Sequence, residues 1–344
     1  MAWTELLRRD LLSVYRSRTG TAVAAIIALF TVLVVGLMGL APSLEAVAAV
    51  GGLVAVLALV VMVFVGSPRA VAALVAAFTA LTLVLAAVLS EPDFPPGNRS
   101  AVIVIGSALS FLLPLVGMLG SYAAIAGERE TGSVRFLLGL PNSRDEVYRA
   151  KFLSRSAVVL VPLLAGAVLA GVLVAATFEQ GSVLDVLGLG LISVPYALLF
   201  VGIGLSASAY AETTNRAVAM VIGAFAILRA GWPAAQWLSI QGIEDIYEVG
   251  YPDYYFWIGR INPINAYVKL TTQLLDERAH PLLTARERGV GYRSAPDTPG
   301  GTTEAVEAVA PIATSMEFAA AVVLVWAVAA PLFGLWYFRR RDVL

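Results

Sequence analysis

A bundle of apolar helices crossing a membrane is the fold class this sequence predicts: all-α and polytopic, with about eight spans and both termini cytoplasmic. Three observations predict it. Charged residues make up 14% of the 344 residues, against roughly 25% in soluble domains, and the mean hydropathy is +0.83. A helix needs about 20 apolar residues to cross the hydrocarbon core. Eight such runs occur, roughly at 20–41, 45–66, 69–90, 101–126, 154–178, 184–210, 215–231 and 316–338. With the N-terminus inside, fifteen of the 23 basic residues fall in cytoplasmic segments and only Arg99 in a short outer connection. An odd number of spans would put either the first arginines or Arg339-Arg340-Arg341 outside.

Composition also excludes several functions. There is no Cys and a single His, His280, so disulfides, thiolate sites and multi-histidine metal centres are ruled out. A net charge of −1 gives no footprint for nucleic acid. Neither lysine, Lys151 or Lys269, follows the glycines of a phosphate-binding loop, and no catalytic motif is present. Any ATP-driven work therefore requires an ATPase on another polypeptide. The spans carry almost no ionisable residues, whereas ion-coupled transporters keep such groups at membrane depth.

Residues 1–19 read as an amphipathic helix lying in the headgroup layer. Trp3, Leu6, Leu7, Leu11, Val14 and Tyr15 form one face; Glu5, Arg8, Arg9 and Arg16 take the other. Residues 20–231 hold spans one to seven, with turn signals at Pro42, Pro68 and Pro92–Gly97. Pro114, Pro162, Pro195 and Pro331 fall within spans and predict kinks. Small-residue pairs Gly166/Ala170 and Gly202/Ser206 allow close helix contact.

The most informative stretch is the cytoplasmic connection at 127–153. Gly127-Glu128-Arg129-Glu130-Thr131-Gly132 is expected to break the fourth span and turn the chain into water as an open, charged loop. Val134, Leu137 and Leu138 then share a helical face, with Arg135 off it. Pro141-Asn142-Ser143 ends that segment. Ser143 and Glu146 have the spacing of a capping box at the start of the next helix. Lys151 follows, its stem expected along apolar surface and its ammonium in water.

This stretch resembles the first cytoplasmic loop of ABC-2 type transporter permeases, the membrane subunits of ATP-driven exporters. The resemblance rests on Glu128-Arg129-Glu130-x-Gly132, Leu137-Leu138-x-Leu140-Pro141-x-Ser143-Arg144 and Lys151, with a weaker match at Asn262-Pro263-x-Asn265-Ala266-Tyr267. It implies a coupling helix that docks on a separate ATPase through Glu128, Arg129, Glu130, Gly132, Leu137, Leu138, Pro141, Ser143, Arg144 and Lys151; on such a helix Phe136 would be the aromatic anchor and Arg135 a rim charge. It also implies a dimer with a second copy or a related permease, lipid around the bundle, and ATP and Mg held by the partner, with no cofactor on this chain. The family usually has six spans, so the runs at 45–66 and 69–90 read as an inserted hairpin. The location implied is a prokaryotic cell membrane. Substrate and direction are not written in these residues. A membrane anchor or sensor without transport is the alternative.

Residues 232–315 read as an external region. Tyr247, Tyr251, Tyr254, Tyr255, Phe256 and Trp257 suggest an aromatic belt at headgroup level, or else a lid over substrate. Asn262 should cap a short helix that opens with Pro263, with Ile264, Tyr267, Thr271 and Leu274 on one face. The stretch 285–310 is rich in Gly, Pro, Thr and charge and reads as a flexible loop. Residues 316–344 form the last span and a basic cytoplasmic tail.

Overall fold

A computed structural model describes residues 3–15, 98–132, 143–177, 182–243, 252–272 and 311–340, and all regular structure among them is helical. Helix α1 is Trp3–Tyr15 and α2 is Asn98–Ser121, followed by the short α3, Ala126–Glu130. Then come α4, Arg144–Thr177; α5, Val183–Tyr210; and α6, Thr214–Ala226. A π-turn at Ile227–Gly231 joins α6 to α7, Trp232–Leu238. The rest are α8, Asp253–Ile261; α9, Pro263–Thr272; α10, Pro311–Thr314; and α11, Met316–Arg340. Five stretches are long and apolar enough to cross a membrane: Ile105–Glu130, Arg144–Ala176, Val183–Tyr210, Thr214–Leu238 and Met316–Arg340. They match the last five runs expected from sequence. The runs at 20–41, 45–66 and 69–90, the hairpin among them, lie outside the described residues.

The helices differ in how much of their apolar surface the protein itself covers. In Ile105–Glu130, 83% of the most apolar window is buried, against 22% in Thr214–Leu238. A helix that is apolar all round belongs inside, and α2 is the centre, with Ala108, Leu112, Leu113 and Met118 at 0–1% exposure. Helix α5 packs against α2, α4 and α11. Small residues make this possible. A Cβ on Gly202 would stand 2.6 Å from Pro331 Cδ, and one on Gly117 3.0 Å from Phe200 Cβ. The Gly202/Ser206 pair thus faces α11, where Ser206 also donates to the Ala330 carbonyl at 2.7 Å. On α4 the close approach runs through Ala167, which leaves no room for a Cβ on Gly190. Gly166 is buried nearby and Ala170 belongs to the core. All four intramembrane prolines sit inside continuous helices.

Two boundaries differ from the sequence expectation. The helix after the fourth apolar run does not break at Gly127. It loosens at Tyr122–Ile125 and resumes through Glu130. Ser208 on α5 accepts the Ile125 and Ala126 amides at 2.9 and 3.0 Å, so the loosened turn keeps its donors satisfied. Gly132, at φ +73°, is where the helix ends. The span from Thr214 runs on to Leu238, seven residues past the expected end at 231. Pro233 there opens α7 rather than stopping it, because its missing amide falls in the first turn, directly after the π-turn.

Beyond this span the aromatic residues turn partly inward, unlike a belt. Tyr255 and Phe256 are buried in a small core with Ile240 and Ala313, and Trp257 meets Phe318 edge-on at 4.9 Å. Tyr254 is exposed and donates to the Ser239 carbonyl, while Tyr247 and Tyr251 lie outside the described residues. Asn262 caps α9 as its sequence implied, accepting the Ile264 amide at 2.9 Å. Its amide donates to Leu228 O in the π-turn at 2.8 Å, so one side chain fastens α9 to the Thr214–Leu238 span. Ile264, Tyr267 and Thr271 are buried on one face, and Leu274 lies outside the described residues. Tyr267 stacks on Tyr196 at 3.9 Å and shares a 2.7 Å hydrogen bond with Ser193. Burial pushes its phenol well above the ordinary tyrosine range.

Candidate coupling site

Three consecutive residues at the end of α3 each reach a different helix. Glu128 accepts from Lys151 Nζ on α4 at 2.7 Å. Arg129 Nη1 donates to Ala209 O and Ala211 O, both at 2.8 Å, at the C-terminal end of α5. Glu130 accepts from the Thr214 amide at 2.9 Å and its hydroxyl at 2.7 Å, at the N-terminus of α6. The signs match the helix ends they meet: a cation at free carbonyls and an anion at free amides. These residues are therefore a bracket between helices, not the open charged loop expected from sequence. Gly127 lies within this bracket, where a Cβ would stand 3.7 Å from Thr214 Cγ2.

Lys151 departs furthest from expectation. Its side chain is 2% exposed, so the ammonium does not reach water. It stands 3.5 Å from Asp10 on α1 as well as 2.7 Å from Glu128. Asp10 also accepts from Ser154 Oγ, and Arg155 is within electrostatic reach of both carboxylates. Two acids and two bases thus neutralise one another where α1, α3 and α4 meet. The reason is energetic: desolvating an ion costs several kcal/mol, about 3–5 kcal/mol when its partner is removed, so charges this deep come in pairs. Leu7 extends the contact by packing on Val147 and Ala150. Helix α1 therefore lies against the first turns of α4, rather than only in a headgroup layer. Asp10 was missed from sequence. The available signal was its position, three residues after Leu7 and four before Val14, on the apolar face.

The first turn of α4 completes the site. Ser143 and Glu146 form the expected capping box, with the Ser143 amide donating to Glu146 at 2.8 Å and the Glu146 amide to Ser143 Oγ at 3.2 Å. Arg144 donates to Phe338 O and Arg339 O at 3.4 and 3.2 Å, and Arg339 pairs twice with Asp145. The end of the last helix is thereby held to the residue that follows the loop. Of the predicted residues, Glu128, Arg129, Glu130, Gly132, Ser143, Arg144 and Lys151 gather at this one end of the bundle. Arg135, Phe136, Leu137, Leu138 and Pro141, with the amphipathic segment that holds them, lie outside the described residues.

A family model described as ABC-2 family transporter protein matches residues 92–343, most of the chain and all of the bracket. The chain belongs to the ABC-2 transporter family. It is thus a multi-pass membrane protein and a permease of an ABC transporter, and the loop that carried the resemblance lies inside the matched region. No curated protein aligns significantly with this permease. Helix α1, with Asp10, precedes the matched residues.

Proposed function

We propose that this permease is the membrane subunit of a two-component exporter, and that a separate ATPase subunit docks on residues 128–145. ATP and Mg belong to that ATPase, and two permease copies, or this chain and a relative, form the path. The observation that carries the reading is the bracket at Glu128-Arg129-Glu130, with Lys151 and Arg144 on the other side of the loop. A load applied to the segment between Gly132 and Ser143 passes at once to α3, α4, α5, α6 and α11. That wiring suits a rigid-body change of the membrane helices when the ATPase pair closes. Eight crossings with both ends cytoplasmic complete the reading, in a prokaryotic cell membrane. The end of α11 and the start of α4 then sit on the ATPase side.

Docking is tested by co-purification. Aromatic anchors at interface centres contribute about 2 kcal/mol or more and rim charges much less. Phe136→Ala is expected to weaken ATPase retention by roughly thirty-fold, and Arg135→Ala far less. Parent-like retention and hydrolysis in Phe136→Ala would remove residues 128–145 as the docking element. The orientation is tested separately with Pro95→Cys, since the native chain has no cysteine. An impermeant thiol reagent should label it from outside; labelling from the cytoplasmic side alone contradicts the arrangement.

A further inference from the structure

We infer that Asp10 is a positioning residue for energy coupling: it makes α1 a fixed companion of α4 by taking up Lys151 when Glu128 is displaced. This rests on the docking reading above. The first observation is that one ammonium serves two carboxylates unequally, 2.7 Å from Glu128 and 3.5 Å from Asp10. The second is that the two acids are held differently. Asp10 is 8% exposed and has a second bond from Ser154, whereas Glu128 is 24% exposed. Glu128 also lies four residues before Gly132, the positive-φ position where the loop begins.

A pull on the loop therefore strains the Glu128 contact first. A buried ammonium cannot be left unpaired, and Asp10 is the acid already within reach. Lysine suits such an exchange, being a compact point charge with rotatable donors, where arginine would favour one fixed planar partner. Because Ser154 and Lys151 are both on α4, the exchange keeps α1 seated there while α3 moves. Charge remains balanced throughout, since Arg155 is within electrostatic reach of both acids. The consequence is that α1, outside the residues matched by the family, moves as one body with the helix that follows the loop.

Distances between spin labels in the purified permease–ATPase complex, with and without vanadate trapping in Mg-ATP, test this. One pair joins α1 to α4 through Leu12→Cys and Leu153→Cys, both exposed positions. The other joins the loop mouth to α4 through Thr131→Cys and Leu153→Cys. In the parent, trapping should shift the second distance by about 1–2 Å or more, the usual scale of helix shifts in switching proteins, and leave the first unchanged. Asp10→Asn should make the first distance broaden and shift on trapping, and Asp10→Glu should restore it. A parent-like first distance in Asp10→Asn overturns the inference. Should Asp10→Asn fail to assemble, Ser154→Ala loosens Asp10 with all charges kept. Broadening there supports the inference, and an unchanged distance overturns it. If no ATPase co-purifies with the parent, or the second distance ignores trapping, the docking reading itself fails and this inference falls with it.

Discussion

The two ends of the bundle are fastened by different chemistry. At the loop end the cross-links are ionic: Lys151 with Glu128 and Asp10, Arg129 at the end of α5, Glu130 at the start of α6, and Arg339 with Asp145. At the far end they run to backbone carbonyls, from one buried cation, Arg260, whose Nε donates to Ala313 O at 2.9 Å, and from neutral groups. Asn262 joins α9 to the π-turn, Trp232 Nε1 donates to Ile258 O at 2.7 Å, and Gln236 donates to Tyr255 O at 3.0 Å. Arg229 lies with its guanidinium 3.2 Å over the Phe111 ring. Hydrogen bonds to backbone carbonyls are short-ranged and tied to one geometry. Ion pairs act over longer distances, so a charged group can change partner during a motion. The difference suits an end that transmits movement and an end that holds its shape.

Substitutions can break this comparison, beginning with the largest effect. Lys151→Met strands two acids in a buried site and is expected to destabilise the permease by about 3–5 kcal/mol, read as a loss of thermal stability in detergent. A Tm close to the parent's would mean the cluster is solvated and not a buried brace. Asn262→Ala removes a cap and the bond to Leu228 O, and should cost about 1–2 kcal/mol. Its Tm change should be insensitive to salt. Arg339→Ala should have the smallest effect, because Arg339 is exposed and Asp145 only half-buried. Raising the salt concentration should erase most of it. If Arg339→Ala lowered Tm as much as Lys151→Met, the ranking by burial would be wrong.

Several features were legible because they depend on near neighbours. The Ser143/Glu146 box spans three residues. Asn262 before Pro263 is equally local. The last five spans were legible because twenty apolar residues leave a long chain few other places to go. The errors were of another kind. Gly127 looked like a helix breaker because glycine is permissive, yet Ser208, more than eighty residues on, supplies the acceptor that lets the helix resume. The apolar run was expected to end at 231, yet a π-turn carries the helix on to Leu238. Tyr255 and Phe256 resembled a belt until Ile240 and Ala313 covered them.

By itself the sequence determined that this chain is a helical membrane protein and where most of its described helices run. Those conclusions follow from hydropathy and from spacings of three or four residues, which chain geometry imposes on any helix. Only the tertiary structure decided what the charges in the 127–153 connection do. Lys151 was assigned to water and lies buried; Asp10 passed unnoticed and proved to be its second acid. The residues concerned are 141 positions apart, and no local periodicity relates them. Their pairing exists because close-packed helices exclude water from the place where α1, α3 and α4 meet, and a buried charge there must find its opposite.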